Sequence, residues 1–161
     1  MSSCIELAGF AAAQGVCCLF DRMPLLPMGF SRRASGPPSV TILPGGTPDE
    51  VAAHGRRWLE ANADQADEAV VVCDAYVTIA GVRTNALVID LQSYRQAMTL
   101  RMAVPYRPHH DPQGFAVHRP KFIVRALEGH DIAAFTQAFF HGVFSHDLGG
   151  RIWNTCADQG R

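Results

Sequence analysis

The stretch Ala69-Val70-Val71-Val72-Cys73-Asp74-Ala75-Tyr76-Val77-Thr78-Ile79-Ala80-Gly81-Val82-Arg83-Thr84-Asn85-Ala86-Leu87-Val88-Ile89-Asp90-Leu91-Gln92 decides the fold of this chain. Two runs rich in Val, Ile and Thr, 69–79 and 84–92, flank the turn around Ala80-Gly81, the pattern of two strands in a hairpin. A connection this short joins only antiparallel neighbours, because a parallel pair needs a long crossover. Working outward, a turn over 93–96 leads to a third strand at 97–106. The longer turn 107–114 leads to a fourth at 115–124. No helix fits between these strands.

Helical signals lie on either side. Ser3-Cys4-Ile5-Glu6 has the form of a capping box, and apolar residues recur at Ile5, Ala8, Ala12 and Val16. The spacing fades at Gly15, which predicts a helix followed by a short buried strand over 16–20. Thr47-Pro48-Asp49-Glu50 is the clearest start signal, with a capping threonine, proline at the first helical position and a reciprocal glutamate. A last helix begins at Gly129-His130-Asp131 and shows an inner stripe of Ile132, Phe135, Ala138, Phe139 and Val143, ending at Gly149-Gly150. Together these predict a single α+β domain over 1–161. It has an antiparallel sheet of four to six strands, with the helices packed on its apolar face. The Pro/Gly-rich segment 23–46 reads as flexible, with short strands at Leu25-Leu26 and 40–43, and the tail 154–161 as loosely held.

Composition narrows the function classes. Fourteen basic residues against fifteen acidic leave a formal charge of -1, with Lys121 the only lysine. That argues against nucleic acid, whose binders cluster cations to neutralise phosphates. No apolar run is read as reaching the length of a membrane span, and the opening stretch 5–20 lacks the basic start of a secretory signal while carrying Glu6. The five cysteines, with Cys17 and Cys18 adjacent and no C-x-x-C pair, suggest free thiols in a reducing cytoplasm rather than a disulfide framework or a zinc knuckle.

Alternation across the strands predicts two faces. Cys73, Ala75, Val77 and Ile79 are expected on the core face with Leu87, Ile89, Leu91, Met98, Leu100, Met102, Val104, Phe115 and Val117. Asp74, Tyr76, Asp90, Arg101 and His118 are expected together on the other, with Asp74, Val88 and Arg101 in one rung. Such a polar face is an ordinary wet surface, a partner or homodimer interface, or a ligand site. In the last case Arg101 holds an anionic group, Asp74 or His118 moves a proton, and Tyr76 and Asp90 line the site. His109, His110 and Asp111, in the turn before His118, are the candidate metal ligands by residue type, although no established ligand spacing is present. The phosphate loop and the dinucleotide fingerprint are both missing, so no motif names a cofactor. The expectation is therefore a non-enzymatic ligand- or protein-binding module that self-associates. The alternative is a small enzyme acting on an anionic metabolite, with or without a metal, through the sheet face or the 109–118 turn.

Overall fold

The computed structural model describes residues 2–34, 36–123 and 131–158. In chain order the elements are α1 (Ser2–Phe20), β1 (Met28–Arg32), β2 (Ser39–Ile42), α2 (Pro48–Ala61), β3 (Glu68–Ile79) and β4 (Val82–Ser93). They continue with β5 (Met98–Arg107), β6 (Ala116–Val117), β7 (Lys121–Ile123), α3 (Ile132–Ser145) and α4 (Asp147–Cys156). Every strand pair is antiparallel, in the order β2-β1-β3-β4-β5-β6, and β7 also pairs with β5. The α+β class holds, and the sheet has seven pieces among the described residues.

Ala80 (φ 49°) and Gly81 (φ 79°) both adopt left-handed backbone, as a two-residue turn matched to the twist of its strands requires. This turn sets Ile79 opposite Val82 and hence Asp74 opposite Leu87, not opposite Val88 as the sequence predicts. A one-residue difference exchanges the faces of a strand. The core face carries Val70, Val72, Leu87, Ile89, Leu91, Leu100, Met102 and Val104. Cys73, Ala75, Val77 and Ile79 stand on the opposite side, contrary to expectation. The fourth strand is also broken. β6 and β7 pair with different parts of β5, and Pro120, which has no N–H to give, falls between them. Val124, Gly129 and His130 lie outside the described residues.

α1 does not yield to a strand at Val16 but runs to Phe20. Gly15 is tolerated because it lies against Leu87: an added Cβ would sit 3.1 Å from that side chain. Burial, not intrinsic propensity, holds this helix. Ser3 lies inside it rather than capping it, and accepts hydrogen bonds from the Arg32 guanidinium through its carbonyl and hydroxyl oxygens. By length and composition α1 is apolar enough to cross a membrane, contrary to the sequence reading. In this fold Cys4, Ile5, Ala8, Ala11, Ala12 and Val16 are wholly buried between the sheet, α3 and α4.

α2 carries the expected capping box, the Thr47 hydroxyl accepting from the Glu50 amide and the Glu50 carboxylate from the Thr47 amide. It packs on the other face of the sheet, so the helices do not all share one side. Leu59 and Trp58 meet Ala69 and Val71, and Gly29 leaves room for the Trp58 ring. The first half of β3 is thus buried on both faces and reads as an unbroken apolar run.

The expected cap of α3 is present, with Asp131 accepting from the amides of Ala133 and Ala134. Gly149 and Gly150, read as a stop, instead lie inside α4. His146 joins the two helices: its Nδ1 accepts from the Gly149 amide at 3.0 Å, which puts the ring proton on Nε2 to donate to Gln14 at 2.9 Å. Beyond α4, Ala157 bridges to Val117, and the Asp158 amide donates to the Val117 carbonyl. Residues 159–161 lie outside the described set.

Candidate functional site: a groove at the end of the first helix

α1 ends in a Schellman motif. The Met23 amide donates to the Cys18 carbonyl and the Arg22 amide to the Leu19 carbonyl, a closure that needs left-handed backbone at the residue between. That residue is usually glycine. Here it is Arg22, at φ 56°. The left-handed turn costs an arginine energy that a glycine would not lose. Pro24 follows, a residue that cannot continue the helix.

This helix end faces the β5–β6 connection across a groove of about 570 Å³. One side is Leu19, Arg22, Met23 and Pro24; the other is Tyr106, Pro108, His109, His110 and Phe115. The second side is largely aromatic. His109 stacks on Phe115 with ring centres 4.8 Å apart and planes 18° apart, and Phe20 meets Phe115 edge-on. The His109 ring is fixed because its Nε2 donates to the Phe20 carbonyl at 2.8 Å. Tyr106 is buried apart from its approach to the groove and donates its hydroxyl to Asp74 Oδ1 at 2.8 Å.

Two shifts accompany that last contact. Burial, then the bonded Asp74 carboxylate, push the Tyr106 phenol well above its ordinary pKa, so it stays protonated. Asp74 keeps solvent contact, yet partial loss of hydration raises its carboxyl, against hydrogen bonds from Tyr106 and the Ala75 amide. Among the described residues nothing pairs with the Arg22 guanidinium. A second hollow, of about 650 Å³, lies along α4 between Phe144, Asp147 and Arg151, and it lacks such an aromatic wall.

The constellation expected on the sheet face is divided. Asp90 and Arg101 are brought together, the guanidinium donating to both carboxylate oxygens at 2.6 and 2.8 Å. Asp74 is on the opposite face from them, as is Tyr76, whose ring takes the Arg83 guanidinium at 3.9 Å. His118 lies beyond β6, its Nδ1 3.8 Å from Asp158, a carboxylate that also accepts from Arg107 at 3.1 Å. Arg101 is therefore occupied by its own neighbour, and Asp74 cannot act with it.

Among the described residues no three His, Cys, Asp or Glu side chains converge as metal ligands. His109 is bonded to Phe20, His110 is exposed, and Asp111 accepts from the Gln113 amide within its own turn. Sequence reasoning missed Arg22, Tyr106 and Phe115 as site residues. The helix-stop pattern Phe20-Asp21-Arg22-Met23-Pro24 and the aromatics flanking His109-His110 were the available signals. Only the fold reveals that they face each other.

Comparison of the chain with protein-family models, curated proteins and solved structures returns no significant match.

Proposed function

We propose that this chain is a non-enzymatic binding module for a small aromatic carboxylate, held in the groove between α1 and the β5–β6 connection. The observation that carries this reading is an unpaired arginine, in left-handed backbone, opposite a rigid aromatic wall. A guanidinium matches a carboxylate by two parallel hydrogen bonds, and the stacked His109 and Phe115 rings offer a flat apolar surface to the ligand's ring. Such sites are typically concave and mostly apolar, with a few polar groups that fix orientation. Binding is favoured over turnover because the one hydroxyl lining the groove from β5, that of Tyr106, is held protonated and already donates to Asp74. All five cysteines are free, which supports a reducing cytoplasm as the place where it works.

The test is a thermal-shift titration with benzoate and indole-3-carboxylate beside cyclohexanecarboxylate. At a hundred times its dissociation constant, a ligand adds about 2.7 kcal/mol, which raises Tm by about 5–10 °C in a chain of this size. The aromatic acids are expected to shift wild type and to lose the shift in Arg22→Gln, while Arg151→Gln responds as wild type does. No response to any aromatic acid, or an equal response in Arg22→Gln, sinks the reading.

A further inference from the structure

We propose that two copies of this chain pair through the open edge of β2 to form one continuous antiparallel sheet. β2 ends the sheet order. The Leu43 amide donates to the Pro27 carbonyl, so by the alternation of an antiparallel ladder Thr41 and Ser39 also bond inward to β1. Val40 and Ile42 consequently turn their N–H and C=O groups outward. Their side chains share the face occupied by α1 and are 54% and 56% exposed.

The edge is complementary to itself in one register. With Val40 opposite Ile42 of a second copy, four N–H···O=C bonds run between residues of the strand itself, and Thr41 meets its own counterpart on the two-fold axis. A shift of two residues either way brings Pro38 or Pro44 into the ladder, and neither has an N–H to give. The same prolines end the ladder, so pairing closes on two copies instead of continuing. Val40 and Ile42 from both chains then form one β-branched apolar patch, the cross-strand contact that stabilises sheets.

Charge agrees with this pairing. Ser39-Val40-Thr41-Ile42 carries none, so two copies meet without repulsion. The opposite margin, at β7, has Lys121 preceded by Pro120, the means by which edges are kept apart. β2 lacks the lysine and keeps its outward donors.

Light scattering after size exclusion, on the full chain, is expected to give twice 17.5 kDa for wild type and 17.5 kDa for the Val40→Lys/Ile42→Lys double variant. Both residues are exposed, so the variant retains the wild-type circular dichroism and thermal transition. A second arm reads the register. Across the axis the two Thr41 Cα atoms stand about 4.5 Å apart, as in a non-hydrogen-bonded pair, within disulfide reach. Thr41→Cys is expected to give a reducible dimer under mild oxidation, and Ser39→Cys, which faces Leu43 of the second copy, only the background of the parent protein. A monomeric wild type overturns the proposal. So does a double variant that stays dimeric, or cross-linking of Thr41→Cys no greater than that of Ser39→Cys.

Discussion

Replacing Gly142 by alanine perturbs the point where α3 crosses α1. A Cβ there would lie 1.9 Å from the Glu6 carbonyl oxygen, and the reciprocal position, Gly9, would place one 2.0 Å from the Phe139 carbonyl oxygen. The two backbones touch, so no rotamer change relieves the clash and the helices must separate by roughly 1 Å. A gap of that size forfeits a quarter to a half of the dispersion energy of the contacts it opens. Here those contacts involve Ile5, Ala8 and Ala12 on α1 and Phe139 and Val143 on α3, all wholly buried. Alanine's better helix propensity returns about 1 kcal/mol, and overpacking of this kind costs about 1–3 kcal/mol or more. With the whole interface opened, the cost lies at the upper end of that range, and less the propensity returned it leaves a net destabilisation of about 2 kcal/mol, or a Tm lower by roughly 4–8 °C. Urea unfolding followed by circular dichroism measures it, with Gly45→Ala as the control because nothing lies within 4 Å of a Cβ there. Gly9→Ala combined with Gly142→Ala should cost less than the two separately, since one opening relieves both clashes. Should Gly142→Ala match wild type or exceed it in stability, the helices do not cross in backbone contact and the account of the core is wrong.

The Arg32–Glu68 pair, at 2.9 Å with little solvent access, ties β1 to β3 and, through Ser3, to the start of α1. Glu68→Gln is expected to cost about 2 kcal/mol in urea unfolding, below the value for a fully buried pair, because it leaves a half-buried guanidinium without its counter-charge; an unchanged midpoint contradicts this. Asp74 titrates above the ordinary aspartate value in the fold because of its desolvation. Its stability contribution is therefore full below the unfolded pKa and declines as pH rises through the raised folded one. Asp74→Asn, which keeps an oxygen for Tyr106, should gain on wild type between acid and neutral pH in a Tm–pH series, and a constant difference argues against the shift. Burial pushes the Cys4 thiol up to about 12 and those of Cys17 and Cys73 to about 11. At pH 8 a thiol reagent mapped by mass spectrometry should leave these three unlabelled until the chain unfolds.

How much of this was legible in sequence depends on how locally each feature is determined. The capping box at Thr47–Glu50 and the Asp131 cap were readable because a cap involves neighbours within four residues. The antiparallel meander was readable because short turns leave no other geometry. The run of α1 through Gly15, and of α4 through Gly149 and Gly150, was not. In each case the glycine looks like a stop along the chain. It serves as a close-approach point in the fold, against Leu87 for Gly15 and against Ala13 for Gly149. The groove is not legible in sequence for a similar reason: Arg22 and His109 lie far apart along the chain and face each other only when α1 lies across the sheet.

Composition, turn lengths and periodicity by themselves determined the α+β class, the order of the long strands and the charge balance. The tertiary structure alone decided which side of β3 faces the core. Alternation carries that information only where one face is wet, and Ala69-Val70-Val71-Val72 is apolar at every position because α1 covers one face and α2 the other. The register was then settled by the two left-handed residues of the Ala80-Gly81 turn and by packing of the sheet against α1. That single residue of register separates Asp74 from Arg101 and gives it to Tyr106 at the margin of the groove.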